Sequence, residues 1–416
     1  MVNKLLCDIN KSYTPFHAVN RAVEILDSNG FERIREENAW NLKHGGKYYV
    51  TKNDSAIIAF VVGDNKFNIV AAHTDSPALK VKAKASTTVA QFCKLNVETY
   101  GGAILNTWFD RKLGIAGRII VKADDGVKSI LVEGGITVVI PNLAIHLNRG
   151  VNEGVAINAQ RDMSPVIGNE SVTMEQLFAK QADGNEILDY DLFLYVKEEP
   201  YTFGVGDTLI ASSRLDDLEG VFGGLYALIN SKPSNTAVLA LYDNEEVGSS
   251  TKQGAGSTFL ADTVRRIGIS LGKSEEEYYI ALAGSMMVSM DNAHGKHPNR
   301  PDLSDPTNEI VLNGGIVIKH HANQHYTTDG ISSAIIKNVF AKAGAKYQDF
   351  YMRSDLRCGG TLGAISSSQL SIKSVDIGLA QWAMHSAVES AGAKDFDSLV
   401  VGLKAFFDAS SELIEK

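Results

Sequence analysis

Two textures alternate along this chain of 416 residues. Some segments are unbroken apolar runs, which read as strands covered on both faces. Others alternate apolar with polar residues, which predicts strands with one wet face. Helical spacing appears between them. Residues 15–30 predict an opening helix, with Ala18, Ala22, Val23, Ile25 and Leu26 on its apolar face and Ser28-Asn29-Gly30 ending it. The apolar runs 56–62 and 67–72 flank Gly63-Asp64-Asn65 and predict neighbouring strands joined by a tight turn.

From about Lys84 to Gly204 alternation dominates, as in 94–100 and 118–122, and Ala123-Asp124-Asp125-Gly126 reads as a hairpin turn. This predicts a β-rich insertion over 85–204 within a domain built from 1–84 and 205–416. After Ser213, residues Leu215, Leu218, Val221, Phe222, Leu225 and Leu228 recur at helical spacing. A strand at 237–241, a helix near 256–266, a buried run at 279–290 and a strand at 310–318 follow. A helix at 331–343, short strands at 348–353 and 375–379 and an amphipathic helix at 396–414 complete the pattern. The expected fold class is α/β, a central mixed sheet with helices on both faces, plus the β-rich insertion.

Ionisable residues gather where apolar runs stop. Leu241 to Ser250 reads LYDNEEVGSS, with Glu245 and Glu246 adjacent at a strand's carboxyl end, the edge where α/β sheets hold ligands. His73, Asp291 and His385 occupy comparable positions, and Asp216 and Asp217 start the helix after Ser213. Singly, each has an ordinary explanation: a hydrogen-bonded structural histidine, an acid favoured by a helix amino end, a solvated loop charge. Together they repeat one pattern, with histidine and carboxylate donors and no thiolate. That set suits zinc, or cobalt or manganese. Five or six donors point to two ions about 3.5–4 Å apart, an arrangement that activates a water and polarises a carbonyl.

Composition limits the partners. A net charge of −9 argues against nucleic acid and anionic membranes, and Cys7, Cys93 and Cys358 form neither a disulfide framework nor a thiolate site. With no signal-like start and no spanning run, a cytoplasmic protein is expected.

The motifs AAHTDSP, SSRLDDLEG, LYDNEEVGS, SMDNAHGKHPN, IKHHANQHY, CGGTLGAI and AMHS, with VETYGG, TWFDRKLGIAGR and IPNLAIHLNR in the insertion, resemble those of the M18 aspartyl aminopeptidases. The resemblance runs from about residue 10 to the carboxyl terminus and implies a di-zinc exopeptidase-like fold. It places His73, Asp216 and Asp291 around one metal and Asp216, Glu246 and His385 around a second, with Glu245 as general base. It also implies that Asp75 orients the His73 imidazole, that His146 reaches a neighbouring subunit's site to help stabilise an oxyanion, and that Lys319 pairs with an acidic amino-terminal residue. The residues alone leave His146 open to a structural role in a strand, and Lys319 to one as a snorkelling side chain at a sheet edge.

Two departures stand out: Asp216-Asp217 where the family has LDN, and Gly359-Gly360-Thr361-Leu362-Gly363 where it has GTTIG-like sequence. The expected activity is removal of amino-terminal residues from peptides, and the resemblance implies a dimer-based homo-oligomer, a tetrahedral dodecamer, that admits short peptides. The alternatives are a di-metal amidase or deacylase on acyl-amino acids and a non-enzymatic metal-stabilised assembly.

Overall fold

The computed structural model describes residues 1–64 and 66–410. Among them, strands form sheets of nine, six and five strands. The chain divides into two compact units: Met1–Asp75, Pro200–Met384 and Glu389–Lys416 make the first, Ser76–Glu199 and His385–Val388 the second.

The nine-stranded sheet of the first unit runs in the order Glu32–Arg33, Lys47–Lys52, Ala56–Val61, Thr236–Tyr242, Phe67–His73, Met286–Met290, Lys373–Gly378, Ile316–His320, Tyr347–Tyr351. Its central strands are mostly apolar because both faces are covered. Ala237, Leu239 and Leu241 point into one core with helices Pro15–Ser28, Leu215–Ile229, Gly330–Ala343 and Asp395–Phe407. Val238, Ala240 and Tyr242 point into the other, with Phe259–Ser270, Glu275–Ala283 and Leu362–Leu370. Strand periodicity alone sends successive residues to opposite faces. The sheet is mixed and flanked by helices, as the pattern predicts.

Thr236–Tyr242 pairs in parallel with Phe67–His73, which pairs in parallel with Met286–Met290, which pairs in parallel with Lys373–Gly378. Four adjacent parallel strands therefore deliver their following residues to one edge, with Tyr242 in register with His73.

Several local expectations change. The strands Ala56–Val61 and Phe67–His73 are not paired, because Thr236–Tyr242 lies between them; Asn65 of the expected turn lies outside the described residues. The run at 279–290 divides into helix Glu275–Ala283, with Tyr279 and Ile280 exposed, and strand Met286–Met290. The strand expected from 310 begins at Ile316, and the last helix ends at Phe407, with 411–416 outside the described residues.

The second unit holds a six-stranded antiparallel sheet. Its hairpin pairs Ala123 with Gly126, leaving Asp124-Asp125 as the two-residue turn. One face is closed by helix Met174–Ala182, started by a reciprocal capping box between Thr173 and Gln176. Among the described residues, no helix is long and apolar enough to cross a membrane.

Candidate metal centre

His73 ends its strand fully buried. Its Nδ1 lies 3.0 Å from the Asp75 carbonyl and 3.4 Å from Asp75 Oδ1, and its Nε2 lies 3.4 Å from Asp216 Oδ1. Burial alone would lower the imidazole pKa, but hydrogen bonds to Asp216 and Asp75 raise it well above the ordinary value. Carboxylates that hold a proton there also suit a cation in its place. Ligand atoms of His73, Asp216 and Glu246 lie within 4.8 Å of one another. One imidazole nitrogen and two carboxylate oxygens, without a thiolate, form a donor set that fits zinc.

Local backbone geometry aims these groups. Asp216 and Asp217 are not helical (φ/ψ −81°/110° and −117°/35°), so regular helix geometry follows them, beginning at Leu218. Arg214 and Asn244, just ahead of the two acidic pairs, both have φ of 63°. Such left-handed residues reverse the chain abruptly and often mark functional sites. The Glu389 carboxylate accepts the Asp216 amide at 3.1 Å.

Asp75, fully buried, uses both carboxylate oxygens on the neighbouring motif. Oδ1 accepts the Glu245 N–H and Oδ2 the Glu246 N–H, each at 3.1 Å. Sequence spacing gave no hint of this clamp, because 170 residues separate the partners. Glu245 is half-buried. Burial pushes its carboxyl up to about 7; His73 opposes that rise, while Asp291, Asp75 and Asp216 add to it.

Asp291 follows Met290 and is buried, its carboxyl raised to about 6 by burial, with Lys319 opposing. It shares the electrostatic environment of Asp216 and His73 but stands outside the compact three-residue group. His385 belongs to the second unit, where its Nδ1 lies 3.2 Å from the Gly102 carbonyl.

Asp217 accepts the Gly220 N–H at 3.2 Å and caps the helix that follows. Its carboxyl is raised well above the usual range, by burial first.

Lys319 lies on a strand antiparallel to Lys373–Gly378 and paired on both sides, so it is not at a sheet edge. Buried, it reaches back to donate to the Asp291 and Asn292 carbonyls at 2.9 and 3.0 Å, with Asp291 Oδ1 3.7 Å away and the Tyr326 ring 4.8 Å from Nζ. His146 lies in an exposed turn rather than a strand, among exposed Leu143, Ile145 and Leu147.

The family model described as Aminopeptidase I zinc metalloprotease (M18) matches residues 8–407. The chain belongs to the M18 family. Probable M18 family aminopeptidase 2 of Clostridium novyi is 45% identical over 423 residues, covering 97% of each chain. The solved structure of yeast aminopeptidase 1 has a TM-score of 0.88 at 27% identity, covering 100% of this chain and 98% of that one. The S. cerevisiae mApe1 dodecamer has a TM-score of 0.86 at 26% identity, with the same coverage. As an M18 member the protein is a metalloaminopeptidase, a hydrolase of a zinc-dependent family.

Proposed function

We propose that this M18 enzyme uses two divalent ions, zinc by donor chemistry, to remove amino-terminal residues from short peptides, with preference for Asp and Glu. The observation that carries the reading is the convergence of His73, Asp216 and Glu246, with a half-buried Glu245 outside that group but close enough to act on His73. Asp291 and His385 would complete the two sets, with Asp216 common to both. Bound there, the ions supply Lewis acidity toward a water and the scissile carbonyl.

The chain's own residues do the rest. Glu245 takes the proton of the attacking water and returns it to the departing amine. A carboxyl near neutrality suits both transfers. Asp75 fixes the Glu245 and Glu246 amides together, so base and ligand keep a constant separation. It also stands beside His73 Nδ1 and orients the ring. Lys319 would face an acidic side chain with the N–H left after its two carbonyl bonds.

His146 would complete a second copy's site. Its exposure among exposed leucines and an isoleucine supports a homo-oligomer, and a relative that forms a dodecamer supports that assembly here. Mixing His146→Ala with a Glu245 variant should regain activity that neither has alone; no gain would remove the shared-site role.

Metal analysis with a panel of aminoacyl amides and acyl-amino acids tests the whole reading. Two ions per chain and cleavage only of substrates with a free amine are expected, with Asp and Glu leading and Lys319→Met losing that lead. Cleavage of acyl-amino acids instead would favour a deacylase.

A further inference from the structure

Three polar residues interrupt adjacent apolar strands at one level of the nine-stranded sheet. Ser289 is in register with Asp376, and Asp376 with Lys319. Cross-strand partners share a face. All three are buried, so each needs a reason. Lys319 has one in the carbonyls of Asp291 and Asn292. Asp376, mid-strand and 1% exposed, is not part of the metal centre.

Its carboxylate binds two separate segments. Oδ2 accepts the Thr327 N–H at 2.6 Å and the Thr327 hydroxyl at 2.7 Å; Oδ1 accepts the Thr361 hydroxyl at 2.6 Å. The Asp376 N–H donates to Thr328 Oγ1 at 3.0 Å. Helix Leu362–Leu370 begins immediately after Thr361, and a Cβ on Gly363 would fall 2.4 Å from Asp376 Oδ1, so glycine lets the helix start approach the carboxylate.

The same two segments meet again above Lys319. Tyr326 precedes Thr327, its ring lies 4.8 Å from Lys319 Nζ, and its hydroxyl accepts the Cys358 thiol at 3.1 Å. The chain of contacts therefore runs from Asp376 through Thr327 to Tyr326 and onto the lysine.

We propose that Asp376 is a positioning residue for substrate selection, pinning 321–328 and 357–361 so that Tyr326 stays seated on Lys319. This rests on the reading of Lys319 as the residue facing an acidic substrate side chain. Asp376 hydrogen-bonds to Thr327, Thr328 and Thr361 rather than to the expected ligands, although its charge is felt at Asp291; it acts through Tyr326 on how an amino-terminal residue is received, and so on KM.

The test compares wild type with Asp376→Asn, Thr361→Val and Thr361→Ser in the full, metal-loaded protein. Hydrogen exchange over 321–328, metal content, and kcat and KM on Asp-, Glu-, Ala- and Leu-initiated amides are measured. In Asp376→Asn and Thr361→Val, exchange and the KM for acidic substrates should rise about 10-fold, the size of one lost bond to a charged group, with kcat within about 2-fold. Metal content should not change, and Thr361→Ser should behave as wild type because it keeps the hydroxyl. Unchanged exchange in Asp376→Asn overturns the pinning role whatever the substrates report. Faster exchange with equal KM changes for acidic and neutral substrates overturns the selective role. A wild-type enzyme indifferent to substrate charge counts against the reading of Lys319, while the exchange result still decides the pinning.

Discussion

The two units solve opposite problems. Among the described residues, every buried polar or charged side chain belongs to the first unit: His73, Asp75, Asp216, Asp217, Glu219, Lys319, Asp376, Glu389 and Asp395 are all there. The second unit buries none, yet leaves Leu143, Ile145 and Leu147 exposed. Burying charge is costly unless partners or a cation compensate it, so its concentration is consistent with placing the proposed metal centre in this unit. Exposing contiguous apolar residues is costly unless another surface covers them, which is why the loop around His146 is proposed as a contact with a second copy.

The largest expected effect isolates chemistry from architecture within the first unit. Glu245→Gln should lower kcat by about 10²–10⁴-fold, the usual contribution of a positioned base. Metal content by atomic absorption should stay at the wild-type level; loss of metal would make Glu245 a ligand instead.

Next comes the covered sheet itself. Leu239→Ala opens a cavity between Thr236–Tyr242 and its helices and should cost about 2–5 kcal/mol in denaturant titrations. A cost below about 1 kcal/mol would mean that this core relaxes freely, against the close packing expected of it.

A buried acid gives the third test. Asp395 accepts the Asn313 and Gly315 amides at 2.6 and 2.7 Å, yet burial outweighs them and lifts its carboxyl from 3.8 to about 6. The folded state then holds a proton that the unfolded chain releases, so this contribution is full below about pH 4 and declines until about pH 6. The shift corresponds to at most about 3 kcal/mol. Stability of wild type relative to Asp395→Asn should fall across that window and level off above it. A flat difference would show that the two amides balance burial.

The smallest effect belongs to the second unit. Leu147→Ser should leave unfolding free energy of the isolated chain within about 0.5 kcal/mol, because the side chain is 76% exposed. Sedimentation should nevertheless show weaker assembly. Unaltered assembly would leave the exposed apolar loop without its proposed partner.

Much of the site was legible because strand ends are. An apolar run that stops at an ionisable residue locates the end of a sheet strand, as at His73 and Asp291, and the structure brings His73 together with Asp216 and Glu246. At Lys319 only the sheet-edge alternative fails, because its strand is paired on both sides. Its strand also ends in ionisable residues, but it runs against its neighbour, and strand direction is not written in local hydropathy. The run at 279–290 misled similarly, since apolar residues on an exposed helix look like those of a buried strand.

The sequence by itself determined the α/β class, the donor chemistry and the M18 motifs, because periodicity and residue type are local properties. Only the tertiary structure decided that Thr236–Tyr242 separates two strands close in sequence, and that Asp75 clamps Glu245 and Glu246 from 170 residues away. It also decided that Asp217 caps a helix and that Asp376 ties two distant segments. The reason is common to all four. A hydrogen bond or a strand pairing depends on which segments the fold makes neighbours, and that choice is settled by the packing of the whole core.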